Sequence, residues 1–76
     1  MTNLQKVRKN RNLSQTQLAN KAKVNVRTLQ YYEQGAKLID NAKLDTILRL
    51  CMVLNCNIED ILEDPSRINK YYNISE

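Results

Sequence analysis

Histidine is missing from the sequence altogether, and glycine and proline occur once each. Without histidine the chain lacks the side chain that most readily moves protons near neutral pH and the commonest nitrogen ligand for metals. A single glycine leaves no glycine-rich phosphate loop, and two cysteines alone cannot complete a tetrahedral metal site. Neither cysteine has an activating partner nearby in sequence, so enzyme chemistry is not expected and no cofactor is implied. Long apolar runs are also missing: nothing approaches the ~20 residues that span a bilayer, and MTNLQKVRKNRNLS lacks the apolar centre of a secretory signal. The expectation is a cytoplasmic protein with no membrane partner. In such a reducing setting Cys51 and Cys56 read as small buried hydrophobes and not as a disulfide.

Acidic residues are absent from Met1 to Tyr32, where Lys6, Arg8, Lys9, Arg11, Lys21, Lys23 and Arg27 stand unopposed. The formal net charge is +4, and acids gather instead at Glu59, Asp60, Glu63 and Asp64. A charge run in a small helical domain is usually a solvated face. Here the basic half coincides with the motif described next, which favours a polyanion footprint.

The stretch Ser14 to Gly35, SQTQLANKAKVNVRTLQYYEQG, reads as two short helices joined by a tight turn. Ser14 is a good N-cap and Gln17 falls where a capping box places its glutamine, so the first of these helices should start at Gln15. Leu18, Ala19 and Ala22 share its inward stripe. Lys23-Val24-Asn25 breaks the periodicity, Asn25 caps the next helix, and Gly35 stops it. In that second helix Leu29 and Tyr32 point inward, leaving Val26, Arg27, Gln30 and Tyr31 outside. Helix, short turn, helix, glycine stop is the plan of a helix-turn-helix unit.

The flanking sequence supplies a scaffold. A first helix is expected from about Asn3 to Arg11, with Leu4 and Val7 inward. A fourth, capped by Asp40 or Asn41 and running to about Leu54, carries Leu44, Ile47, Leu48, Cys51 and Leu54 as its buried stripe, with Val53 opposite and Met52 at the edge. Asn55 suits the left-handed end of that helix. Asn57 caps a fifth helix with Asp60 at N3; Ile58, Ile61 and Leu62 complete it before Asp64-Pro65. The chain thus divides into one domain, residues 1–64, and a C-terminal tail, residues 65–76.

With these residues in view, LSQTQLANKAKVNVRTLQYYEQG resembles the DNA-binding domain of the phage Cro and repressor (XRE) family. Leu-Ser-Gln enters helix 2, Leu18-Ala19 lies within it, Val24 is in the turn, and Glu33-x-Gly35 closes helix 3. LDTILRLCMVLNCNIEDIL is similar to the family's fourth and fifth helices, so the resemblance covers roughly residues 4 to 63. It implies an all-α, five-helix, lambda-repressor-like fold with the helix-turn-helix at helices 2 and 3. Carried over by position, Asn25, Val26, Arg27, Gln30 and Tyr31 face the major groove, and Gln15 contacts phosphate. Lys23, Thr28, Lys37 and Lys43 are further phosphate candidates. Arg27 suits a bidentate contact to guanine or, equally, a sequence-blind phosphate contact.

The resemblance also pairs Arg8 with Glu33, bracing helix 1 against helix 3 and aiming Arg8 toward phosphates; an exposed pair of this kind is worth only ~0.2 to 1 kcal/mol. Two departures stand out. Lys23 replaces the usual turn glycine, at some conformational cost. The connection Gly35 to Leu44 is about three residues longer than usual and lacks its proline, with Leu38 and Ile39 expected to tuck against the core or a second subunit.

The implied function is a small transcriptional regulator binding double-stranded DNA as a homodimer on a near-palindromic operator, repressing by promoter occlusion. Two recognition helices would then sit ~34 Å apart. Dimerisation is expected through helix 5 and the tail, with Met52, Val53, Ile58, Ile68, Tyr71 and Tyr72 as the patch, the alternative being a monomer with a frayed tail. The rival function is a protein-binding module, an antitoxin or adaptor of the same fold with a protein partner. Specific duplex binding discriminates the two.

Overall fold

In the computed structural model, which describes residues 1–64, each helix but one begins where a side chain accepts its orphan amides. Thr2 Oγ1 accepts the Gln5 amide at the head of α1 (Asn3–Asn10). At α2 (Gln15–Ala22) the capping box is reciprocal: the Gln17 amide donates to Ser14 Oγ at 3.0 Å, and the Ser14 amide to Gln17 Oε1 at 2.8 Å. Asn25 Oδ1 accepts the Arg27 and Thr28 amides at the start of α3 (Val26–Gln34). Asn57 and Asp60 form a second capping box on α5 (Ile58–Ile61).

The exception is α4 (Leu44–Leu54), whose N-cap is Lys43 with no side-chain cap. Asp40, expected to cap it, lies in a separate 3₁₀ turn, Ile39–Asn41, that keeps its carboxylate away from α4. Asp40 is instead buried and accepts the Glu63 and Asp64 amides at 2.7 and 2.9 Å, pinning the chain beyond α5 to the loop after α3.

Helix ends repeat one device. α1, α2 and α4 each close with a Schellman motif around a non-glycine residue in left-handed backbone: Asn12 (φ 60°), Lys23 (φ 56°) and Asn55 (φ 53°). In each, the next amide reaches back five positions: Leu13 to the Arg8 carbonyl, Val24 to Ala19 and Cys56 to Cys51, at 3.3, 2.9 and 3.1 Å. Gly35 (φ 81°) ends α3 as expected. Arg11 caps α1 and is not part of it.

The core gathers Leu4 from α1, Leu18, Ala19 and Ala22 from α2, Leu29 from α3, and Ile61 and Leu62 from α5 and its exit, around α4. α2 packs on α3 and α4, and α1 on α3 and α5. The expected stripe of α4 is out of phase. Leu44 and Leu48 are 39% and 43% exposed, Leu50 is fully buried, and Val53 is half-buried against the core. The buried set is Ile47, Leu50, Cys51 and Leu54. Almost every position from Ile47 to Leu54 is apolar, so periodicity fits two rotations of the helix, and contact with α2 selects one. Met52, placed at the edge, is 81% exposed. In the long connection Ile39 is buried but Leu38 is exposed, so only one of the pair tucks in. Among the described residues there is no strand, and no helix is long and apolar enough to cross a membrane. Ile68, Tyr71 and Tyr72, and with them the tail's part in a dimer, lie outside the described residues.

Candidate nucleic-acid interface

The turn between α2 and α3 is held from below. Lys23 adopts φ 56° and ψ 44°, and its carbonyl accepts Arg49 Nη1 of α4 at 3.2 Å. Arg49 is itself steered by Asp45, one turn earlier on the same helix. Val24, half-buried, packs into the core directly after Lys23 and completes the turn. The exposed lysine side chain is therefore carried on a backbone anchored on both sides.

Arg8 and Glu33 are paired, as the resemblance implied, but in a different setting from the one expected. Arg8 Nε and Nη2 donate to the Glu33 carboxylate at 2.6 and 2.9 Å, and Nη1 donates to the Leu13 carbonyl at 2.8 Å. The two residues are 7% and 3% exposed, so this is a buried bidentate pair and not a solvent-screened one. All its guanidinium nitrogens are engaged inside, so Arg8 does not point at phosphates. The physical reason is the rest of the site: Thr2 Oγ1 donates to the Glu33 carbonyl, and Gln15 covers the carboxylate.

That coverage links the pair to the outer face of α3. Gln15 Nε2 donates to Glu33 Oε1 at 3.0 Å, and Gln30 Nε2 donates to Gln15 Oε1 at 3.4 Å. The chain Arg8, Glu33, Gln15, Gln30 thus runs from α1 through α3 to α2 and back to the exposed side of α3. No buried side-chain nitrogen or oxygen is left without a partner among the described residues.

Around Gln30 lie the remaining candidates. Val26 and Arg27 are exposed on the first turn of α3, and Thr28, Gln30 and Tyr31 are half-buried. Asn25 Oδ1 is occupied by capping, so the side-chain nitrogen Nδ2 is the part left for a partner. Lys37 Nζ stands 5.6 Å from the Tyr31 ring centroid, close enough for a cation–π contact, and the Lys37 amide donates to the Tyr31 carbonyl at 3.2 Å. The long connection after Gly35 therefore folds back onto the recognition helix and brings Lys37 to it. Lys43 is exposed at the head of α4, and Lys23 is exposed at the turn.

Two arginines are among the residues whose roles are not legible in the sequence. Arg11 Nε donates to the Leu54 carbonyl at 2.7 Å and its Nη2 to the Asn55 carbonyl at 3.4 Å, so the C-cap residue of α1 caps the end of α4. Arg49 does the same for α2. Their acceptors are backbone carbonyls 43 and 26 residues away, and no local pattern encodes such a partner. Of the described arginines, Arg27 is the one without an intramolecular side-chain partner. Among the described residues no three His, Cys, Asp or Glu side chains gather where they could hold a metal ion.

The profile of a helix-turn-helix family matches residues 4–61, which takes in the five helices apart from the first residue of α1. No curated protein matches the sequence. With the two-helix unit, its glycine stop and its buried arginine–glutamate brace in place, the chain belongs to the XRE, Cro/C1-type helix-turn-helix family of DNA-binding transcription regulators.

Proposed function

We propose that the protein binds a specific duplex DNA sequence by inserting the N-terminal half of α3 into the major groove. The observation that carries this reading is Arg27: exposed on the first turn of α3 and unpartnered, while Arg8, Arg11 and Arg49 are all engaged within the fold. An arginine there is available for guanine O6 and N7, with Val26 beside it for a thymine methyl and Gln30 for adenine. Asn25 and Tyr31 flank them. Lys23 in the turn before α3, Thr28 on α3, Lys37 beside Tyr31 and Lys43 at the head of α4 supply the phosphate contacts in this reading. Gln15 reaches phosphate through the backbone at the positive end of α2, its side chain being held by Glu33 and Gln30.

A homodimer on a near-palindromic operator, repressing by promoter occlusion, fits this arrangement, since the described helices are either the motif or its support. The test is selection from a random duplex library followed by anisotropy titration at several salt concentrations. Enrichment of a symmetric site, with affinity falling as salt rises, supports the proposal. Absence of any enriched sequence at low salt, with a second protein chain co-purifying, would overturn it in favour of a protein-binding module.

A further inference from the structure

The corner between α4 and α5 holds two thiols that DNA recognition does not use. α4 closes with Asn55 in left-handed backbone (φ 53°, ψ 54°), and the Cys56 amide donates to the Cys51 carbonyl at 3.1 Å. In a Schellman motif those two positions turn their side chains toward each other, and an apolar contact commonly closes the motif. Here both positions are cysteine. The two thiols line the same groove and act on each other's ionisation, Cys56 raising Cys51 and Cys51 lowering Cys56. Spacing in sequence does not reveal this, because the left-handed turn at Asn55 is what folds residue 56 back over residue 51.

The surroundings define an entry side. Cys51 is buried, Cys56 is half-buried, and both line an open groove with Leu48, Met52, Asn57 and Ile58. Burial pushes the Cys51 thiol from its ordinary 9.0 up to about 12. Burial raises Cys56 as well, and the charges of Asp60 and Glu59 add to that, but Cys51 and the charge of Arg11 work in the opposite direction. Cys56 is therefore the thiol that ionises first and the one a reagent reaches, with Cys51 placed behind it.

We propose that Cys51 and Cys56 form an oxidisable dithiol that closes to an intramolecular disulfide by exchange with a low-molecular-weight disulfide. The Cys56 thiolate attacks one sulfur of the reagent, expels one thiolate, and is left as a mixed disulfide. Cys51 then loses its proton to solvent, attacks the Cys56 sulfur and expels the second thiolate. The chain gives up two electrons and two protons, and the reagent is reduced to two molecules of thiol. The new bond spans the cap that Arg11 already ties to α1 through the Leu54 and Asn55 carbonyls.

The experiment treats the reduced full-length protein with excess oxidised glutathione, quenches with acid, alkylates with N-ethylmaleimide and reads intact and peptide masses. The expected result is loss of both alkylatable thiols, a chain lighter by two hydrogens, and no accumulating glutathione adduct. Cys51→Ala, which keeps the site apolar, should trap a stable adduct on Cys56, whereas Cys56→Ser should leave Cys51 unmodified while folded. Persistent alkylation of both thiols, a lasting adduct on the wild type, disulfides between chains, or ready modification of Cys51 in Cys56→Ser would each overturn the proposal. None of these readouts involves DNA, so the two proposals stand or fall separately.

Discussion

Replacing Glu33 with alanine while Arg8 stays in place should remove a large part of the protein's stability. The Glu33 carboxylate accepts three side-chain donors, from Arg8 Nε at 2.6 Å, Arg8 Nη2 at 2.9 Å and Gln15 Nε2 at 3.0 Å. Without it, a guanidinium in a residue only 7% exposed keeps one acceptor, the Leu13 carbonyl. Orphaning one member of a buried pair costs about 3–5 kcal/mol. At roughly 0.05–0.15 kcal/mol per residue, a 76-residue chain has about 4–11 kcal/mol in total. Arg8→Ala should be comparably damaging, because it leaves a carboxylate in a residue 3% exposed. The double substitution Arg8→Met, Glu33→Leu removes both charges from the site and should return to within about 1–2 kcal/mol of wild type. Urea unfolding followed by far-ultraviolet circular dichroism measures all four proteins, provided their denaturant slopes agree. Two results would refute the reasoning: a loss below about 1 kcal/mol in either single variant, which is the scale of a solvent-screened pair, or a double variant as unstable as the two losses added.

Lys23→Gly should relieve the left-handed strain at the α2 cap and stabilise the fold by about 1 kcal/mol, seen as a Tm rise of roughly 4–8 °C in a domain of this size; on DNA the same change should lower affinity for all sequences alike and reduce the salt slope by about 1. Arg27→Ala should leave the unfolding midpoint unchanged while costing about 1–3 kcal/mol of binding at one base pair; an equal loss across all base substitutions would make it a phosphate contact. Arg11→Ala should destabilise by about 1–3 kcal/mol by uncapping the Leu54 carbonyl, and Arg11→Lys should recover only part of that in thermal melts. In alkaline solution the unfolded chain gives up the Cys51 proton near 9.0, whereas the folded chain holds it to about 12. The native state therefore binds more protons in that window, and stability falls as pH rises through it, by up to about 1.4 kcal/mol per pH unit. Cys51→Ala should flatten this slope in urea midpoints compared with wild type; identical slopes would show that burial does not hold the proton.

Much of the local chemistry was readable in the sequence where partners lie within one turn, though the Thr2 cap, the left-handed Asn12 and the Asp45–Arg49 pair were not. Ser14 with Gln17, Asn25 with the next amides, Asn57 with Asp60, and the left-handed Lys23 and Asn55 all involve neighbours a few residues apart. The Arg8–Glu33 pair came from resemblance, and its burial did not, because Thr2 and Gln15 close over it from other elements. The rotation of α4 was ambiguous since LRLCMVL offers apolar residues to either phase, and only packing on α2 decides for Leu50 over Leu48. Asp40 carried the signature of a helix cap, yet its partners are amides 23 and 24 residues later. Long-range acceptors of this kind explain why Arg11 read as part of a basic face, and Arg49 carried no role at all, when both fasten one element to another.

The bond between Gln30 and Gln15 has a consequence for how binding preference can change over generations. Val26 and Arg27 are exposed and contribute nothing to the core, so mutation can exchange them with no penalty in folding and, under the proposed groove contacts, would retarget the protein one base pair at a time. Position 30 is different: any replacement alters what Gln15 offers to Glu33, and so reaches the buried brace. Substitutions at 30 and 15 should therefore be epistatic, tolerated as pairs more often than singly, while drift at 26 and 27 stays additive.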